Sequence, residues 1–439
     1  MPSIAVTTLG CKVNHYESAG IIERLTEQGY DIVPFSLEAD VYIINTCTVT
    51  TKTDYQSRQL VRRARKRNPE ASIIVTGCYA QIAPEVLAEL PGVTLVVGTE
   101  AKERIPELVK TLQSSKAAQK IYISDISRMH SFSGLPVTEF HGQTRAYLKI
   151  QDGCNAFCSY CIIPYARGPS RSMLPDQVIE AVRSLQHAGY REVILTGIHL
   201  GLYGHDLDSP TTLAALIRRI ELETSLERLR ISSIEPREIT GFLVNTIATS
   251  SIVCHHLHIP LQSGDDRVLA RMKRTYTALD FRRHVMTIME RIPDIAVGAD
   301  VITGFPGESE EEFCTTLSFI DTLPLAYLHV FPYSKRPGTD AAKMAGQVQE
   351  SIKKERAKII REKGVEKRRT FIARFIGDEL SVLVEAQSDG AGGWLKGFSD
   401  NYIPTHIVDA DRTLINRIVS VTAEYSKGET IVGRIKTHG

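Results

Sequence analysis

Hydrophobic and polar positions divide the 439-residue chain into stretches of different period. In the first hundred residues the apolar runs IAVTTLG, VYIINT and SIIVTG each end in small polar residues. Between them lie the helix-patterned stretches GIIERLTEQG and DYQSRQLVRRARKRN. This βαβα order predicts a parallel sheet with flanking helices. From 100 to 143 the periodicity is weak: KERIPELVKTL predicts a helix and SSKAAQK an exposed linker. Residues 144–331 repeat a strand–helix unit, with strands expected at 146–151, 193–197, 229–234, 256–261, 295–303 and 325–331. The stretch DQVIEAVRSLQHAG places Val178, Val182 and Leu185 on one face and stops at Gly189. Six strands instead of eight predict a partial (β/α)6 barrel. A charged helix follows within 332–374. From 371 onward short alternating strands with Gly and Asp turns predict a small all-β barrel of OB-like type. The fold class is therefore α/β, in three units spanning 1–115, 140–370 and 371–439.

Composition changes this picture little: 43% hydrophobic and 23% charged residues are ordinary for a globular protein. No apolar run approaches a membrane span, and the N-terminus lacks the basic and apolar regions of a signal peptide. The expectation is a cytoplasmic protein without a membrane partner. Reducing conditions there disfavour structural disulfides, so eight cysteines point to metal binding or catalysis.

The cysteines are patterned. Cys154, Cys158 and Cys161 fall in GCNAFCSYCIIPYARGPSRS, directly after the first barrel strand, at the end where such barrels carry their chemistry. Closed structural zinc sites use four protein ligands. Three closely spaced thiolates suit an iron–sulfur cubane with one iron left open for another ligand. Zinc, or a trio of inert buried thiols, remains as an alternative. Cys11, Cys47 and Cys78 each follow one of the three N-terminal apolar runs. Parallel strands end at one sheet edge, so these distant thiols can meet in space, although buried cysteines also serve as small hydrophobes. Cys254 and Cys314 have no partner motif, and His256 and His258 alternate within a strand pattern as structural or cavity-lining residues. No Walker lysine loop and no GxGxxG segment is present.

CxxxCxxC after the first strand of a (β/α)6 pattern resembles the radical S-adenosylmethionine (SAM) superfamily. The segments LGCKVN-x-YES, INTCTVT, GCNAFCSYCIIPYARGPSRS, HIPLQSGDDRVLARMKR, DVITGFPGE and FPYSKRPGT together resemble the methylthiotransferase family over nearly the whole chain. The resemblance implies an N-terminal methylthiotransferase domain, a radical SAM barrel and a C-terminal TRAM domain. It further implies two 4Fe-4S clusters: an auxiliary one on Cys11, Cys47 and Cys78 that carries the sulfur, and a radical SAM one on Cys154, Cys158 and Cys161 that cleaves SAM. Tyr160, Thr196, Gly197, Ser233 and Gln262 are the expected SAM contacts. An electron donor of flavodoxin or ferredoxin type and a sulfur source are the implied partners.

LGCKVN resembles the branch that modifies N6-threonylcarbamoyladenosine in tRNA at C2, next to the anticodon. Other branches act on isopentenyladenosine or on a ribosomal-protein aspartate. Local charge favours RNA. QSRQLVRRARKR carries six basic residues and no acid: Arg58, Arg62, Arg63, Arg65, Lys66 and Arg67. Ten Lys/Arg against three Glu lie between Lys353 and Arg374, which adds Lys353 and Lys354. Trp394 offers a stacking surface in the last unit. Against this, residues 370–439 hold seven Lys/Arg and nine Asp/Glu, a balance better suited to a basic protein partner.

Overall fold

A computed structural model describes residues 2–114, 120–140, 142–387 and 394–436. Most of the linker expected around SSKAAQK lies outside the described residues. The first unit comprises β1 (Ser3–Thr8), α1 (Lys12–Glu27), β2 (Asp31–Val33), β3 (Val41–Thr46), α2 (Thr51–Arg67), β4 (Ser72–Gly77), α3 (Cys78–Ile82), α4 (Pro84–Ala88), β5 (Val93–Val97), α5 (Ile105–Ser114) and β6 (Ile121–Tyr122). The strands form one parallel sheet in the order β2-β1-β3-β4-β5-β6. All six residues of β3 are buried, as a strand covered on both faces requires. The three expected strands are β1, β3 and β4. The sheet extends them by β2, β5 and β6, two of which span only two or three residues and so carry no readable period. Helix α2 opens with a Thr50–Thr53 capping box and buries Val61 and Ala64, which leaves Arg62, Arg63, Arg65 and Lys66 in solvent.

The central unit comprises β7 (Arg145–Lys149), β8 (Gln151–Asp152), α6 (Ile163–Arg167), β9 (Arg171–Ser172), α7 (Pro175–His187), β10 (Glu192–Thr196), α8 (Leu213–Glu223), β11 (Arg228–Ile231), α9 (Gly241–Thr249), β12 (His256–His258), α10 (Asp266–Arg271), α11 (Ala278–Arg291), β13 (Ala296–Thr303), α12 (Glu310–Thr322), β14 (Tyr327–Pro332) and α13 (Glu350–Ala373). All six expected barrel strands are present. They form two parallel triplets, β7-β10-β11 and β12-β13-β14, joined where Ser233 bridges His258 and the Ile234 N–H donates to the His258 carbonyl at 3.0 Å. Val178, Val182 and Leu185 of α7 share the largest hydrophobic cluster with Val193, Leu195 and Leu229.

The last unit is a closed five-stranded barrel of β15 (Glu379–Gln387), β16 (Leu395–Ser399), β17 (Pro404–Ile407), β18 (Ile418–Lys427) and β19 (Thr430–Ile435), in the order β15-β16-β17-β19-β18. It docks against the first residues of the central strands. Arg145 pairs with Glu385 at 2.5 Å, Arg228 donates to the Ser381 carbonyl at 2.5 Å, and Arg230 donates to the Asp400 carbonyl at 2.9 Å. The small barrel thus covers one mouth of the partial barrel, and the CxxxCxxC loop lies at the other. Among the described residues no helix is long and apolar enough to cross a membrane.

Candidate metal centres at the domain junction

The N-terminal cysteines meet because their strands are neighbours in register. Thr8 of β1 lies opposite Asn45 of β3, and Thr46 of β3 opposite Gly77 of β4. Cys11 follows β1 within three residues, Cys47 follows β3 directly, and Cys78 opens α3 after β4. The thiols are close enough to act on one another electrostatically. Two glycines make the approach possible. A Cβ on Gly10 would sit 2.7 Å from the Cys47 Cβ, and one on Gly77, at φ +100°, would sit 2.2 Å from the Thr46 carbonyl oxygen. The second trio occupies the loop between β8 and α6, where the Cys161 N–H donates to the Cys158 carbonyl at 2.9 Å.

Each of these six sulfurs receives a hydrogen-bond donor. Backbone N–H groups of Asn14, Val49 and Ile163 point at Cys11, Cys47 and Cys161. The Ala156 N–H and the His199 Nδ1 lie 3.4 and 3.3 Å from the Cys154 Sγ. Arg167 Nε lies 3.4 Å from the Cys78 Sγ, and Arg274 Nη1 lies 3.2 Å from the Cys158 Sγ. The two remaining cysteines differ: the exposed Cys314 thiol faces the Glu310 carboxylate at 3.9 Å, and Cys254 is a buried thiol. Donors aimed at sulfur stabilise thiolate, the form that ligates metal. Burial, helped by the neighbouring thiols, works in the opposite direction and pushes the Cys47 and Cys161 thiols up to about 12. The buried Cys47 and Cys161 thiols therefore favour the protonated form unless a cation sits beside them. The donor set therefore fits a thiolate-ligated cluster at each trio.

One side chain ties the sites together. Arg167, fully buried, donates to Glu17 at 2.5 Å, to Asn14 at 2.5 Å and to Asp152 at 3.2 Å while touching Cys78. Lys149 bridges Glu17 and Asp152 at 3.3 and 3.2 Å, Lys102 pairs with Glu17, and Arg171 stands 3.8 Å from Asp152. Burial would raise the Glu17 carboxyl, but Arg167, Lys102 and Lys149 outweigh it and hold the carboxyl well below its usual range. Four cations against two carboxylates leave this wall positive, which suits thiolate-rich groups. The FPYSKRPGT segment secures the Cys47 loop: Arg336 donates to Thr48 and Asp54 at 2.5 and 2.7 Å, and the Thr51 N–H donates to the Ser334 hydroxyl at 3.0 Å.

A cavity of about 220 Å³ adjoins the second trio, lined by Tyr160, Cys161, Gln262 and Asp300 from the central unit and by Val49 and Thr50 from the first. Gln262 turns into it through a left-handed backbone, at φ +63°. Three other expected SAM contacts are not among its lining residues. Thr196 is buried at the end of β10, Ser233 is exposed beyond β11, and Gly197 packs against Gln151, whose Oε1 accepts from the Ile198 and His199 N–H groups at 2.9 and 2.7 Å. Sequence reasoning missed Glu17, Arg167, Arg274 and His199. The first three lie inside quoted motifs and were overshadowed by the cysteines; His199 carried no signal.

The basic residues sort by exposure. Arg62, Arg63, Arg65, Lys66 and Lys354 face solvent. Arg58 is half-buried and donates to the Tyr79 hydroxyl at 2.8 Å, and Arg67 lies over the Phe35 ring. Lys353 corrects the expectation of an RNA contact. It is 4% exposed, packs on Gly304 and pairs with Glu350 at 2.7 Å, because α13 turns this side chain toward the GFPGE loop. Trp394 is half-buried beside His406, ring centres 6.0 Å apart. Of the cavity-lining candidates, His258 donates through Nε2 to the Asp300 carboxylate at 2.9 Å, and its Nδ1 lies 3.1 Å from the Tyr327 hydroxyl.

A three-cysteine loop at the end of a parallel half-barrel, with a cavity beside it, defines a radical SAM protein. The chain matches the profile of the radical SAM superfamily over residues 148–320 and that of the uncharacterized protein family UPF0004 over residues 3–98. Its fold resembles that of the radical SAM methyltransferase TsrM from Kitasatospora setae, solved with cobalamin and a [4Fe-4S] cluster bound. That structure is 16% identical with a TM-score of 0.56, over 77% of this chain and 76% of that one. A threonylcarbamoyladenosine tRNA methylthiotransferase (MtaB) from Bacillus subtilis is 42% identical over 96% of this chain and 93% of its own length. A tRNA-2-methylthio-N(6)-dimethylallyladenosine synthase from Syntrophus aciditrophicus is 36% identical over 81% and 78%. The chain belongs to the methylthiotransferase family.

Proposed function

We propose that this protein inserts a methylthio group at C2 of N6-threonylcarbamoyladenosine next to the anticodon of tRNA. The observation that carries the reading is the pair of three-cysteine sites at one junction, every sulfur with a donor, in a chain 42% identical to a threonylcarbamoyladenosine tRNA methylthiotransferase over nearly its whole length. When bound, two 4Fe-4S clusters and SAM supply the methylthio sulfur and a 5′-deoxyadenosyl radical.

The chain's own residues divide the remaining work. Cys11, Cys47 and Cys78 hold the first group, and Cys154, Cys158 and Cys161 the second. Tyr160 and Gln262 line the cavity where SAM would lie, and Thr196, Gly197 and Ser233 shape the neighbouring strand ends. Arg167 keeps the two loops in a fixed relation through Glu17, Asp152 and Cys78. Val49 and Thr50 line the same cavity from the first unit. The exposed Arg62, Arg63, Arg65 and Lys66 on α2, beside the Cys47 and Cys78 loops, track the tRNA backbone. A flavodoxin- or ferredoxin-like donor and a sulfur source complete the cycle, in the cytoplasm. The decisive test is nucleoside mass spectrometry of bulk tRNA with and without this gene. Loss of the methylthio-threonylcarbamoyl nucleoside in the deletion strain supports the reading, and an unchanged level overturns it.

A further inference from the structure

Arg274 comes from a segment far from the cysteine loop in sequence, and every nitrogen of its guanidinium group is engaged. Nη1 lies 3.2 Å from the Cys158 Sγ, Nη2 pairs with Glu235, and Nε donates to the Tyr276 hydroxyl at 3.2 Å. The group also lies over the Tyr276 ring, 4.9 Å from its centre, and the side chain is 5% exposed. The backbone fixes this approach. Lys273, at φ +57°, ends α10 in a left-handed turn that returns the Lys273 and Arg274 N–H groups to the Ala270 and Leu269 carbonyls, both at 2.9 Å. The cysteine loop is bonded to the same turn. The Ser159 N–H donates to the Met272 carbonyl at 3.1 Å, and the Ser159 hydroxyl donates to the Arg271 carbonyl at 2.8 Å. Cys158 and Arg274 are therefore held in one frame. A guanidinium that only stapled loops together would be served by Glu235 and Tyr276; here the third nitrogen is directed at a sulfur.

We propose that Arg274 sets the reduction potential of the cluster on Cys154, Cys158 and Cys161, acting through the Cys158 sulfur as a positioning residue. This deepens the function proposed above and rests on its reading of that trio. When the cluster takes one electron from the external reductant, it and its thiolates gain one negative charge, and no bond to Arg274 forms or breaks. A buried donor with a full positive charge stabilises the reduced state more than the oxidised one and so raises the potential. Among the described residues, Arg274 is the donor to this trio whose charge is permanent. Ala156 and Ile163 offer backbone N–H groups, and His199 an imidazole. Glu235 holds the guanidinium in place from the far side of β11 without reaching the sulfur itself.

The test is an anaerobic reductive titration of the reconstituted full chain, followed by electron paramagnetic resonance in the signal that changes when SAM is added. Arg274→Met is expected to lower the reduction equilibrium constant by on the order of tenfold to a hundredfold, which at about 59 mV per tenfold for one electron is a midpoint about 60 to 120 mV more negative. Arg274→Lys keeps the charge and should recover part of the shift. Iron per chain and circular dichroism identify the variants that are intact. An unchanged midpoint in intact Arg274→Met, or an equal fall in Arg274→Lys, overturns the assignment. Should Arg274→Met lose its iron, pulsed resonance of reduced wild type labelled with 15N-arginine decides. Hyperfine coupling to a guanidinium nitrogen in the SAM-responsive signal supports the assignment, and its absence overturns it. Failure of the reading beneath it is distinct: wild type would then show no SAM-responsive signal at all, and the assignment would fall with that reading.

Discussion

The two cysteine trios present the same chemistry built in two ways. Cys154, Cys158 and Cys161 sit within eight residues of one loop, and Cys161 is bonded to Cys158 through the backbone at 2.9 Å. Cys11, Cys47 and Cys78 come from three strand ends and meet only because β1, β3 and β4 lie side by side in parallel register. The first trio is local and is assembled by loop conformation. The second needs the sheet, the glycines at 10 and 77, and the Arg336 clamp on Asp54 from a distant segment. A local site tolerates a loosened junction; a dispersed one does not.

That contrast can be broken most forcefully at the ligands. Cys158→Ser is expected to abolish release of 5′-deoxyadenosine, whereas Cys47→Ser should keep SAM cleavage and lose methylthio product. Each variant should fall from about eight irons per reconstituted chain toward about four. Equal loss of SAM cleavage in both would show that the sites are not separable.

Arg167→Met comes next. It strands Glu17 and Asp152 in a buried setting, and removing one partner of such a pair typically costs about 3–5 kcal/mol. The expected outcome is a lowered guanidinium midpoint and faster iron loss from the dispersed site than from the local one, measured by iron content and absorbance. Arg167→Lys should not rescue, since a single ammonium cannot reach Glu17, Asn14, Asp152 and Cys78 together.

Smaller effects belong to the surface. Replacing Arg62, Arg63, Arg65 and Lys66 with Gln should weaken tRNA binding about tenfold and reduce the salt slope by about 2–3, with reductant-driven SAM cleavage without tRNA unaltered. The smallest change separates neighbours on α13. Lys354→Met should lower the salt slope by less than about 1, while Lys353→Met should leave it unchanged and lower stability by about 1–2 kcal/mol.

Much of this was legible in the residue pattern. The six barrel strands read as short apolar runs, the strand-end cysteines read as candidates for one edge, and a small OB-like β-barrel read from alternation and turns; its closure and strand count came from the structure. β2 and β6 were not legible, because two or three residues carry no period. Nor was the fate of individual basic residues, since Lys353 and Lys354 are equivalent in sequence and opposite in burial.

The chain alone determined the ligand types, their spacing and the order of the units, because those depend on local periodicity and on which side chains can bind metal. Tertiary structure decided which charges met. Arg167 found Cys78 and Glu17, and Arg336 found Asp54, through contacts between residues far apart in the chain. Such contacts follow from register and docking, whose energies are sums over many surfaces and leave no mark at any single position.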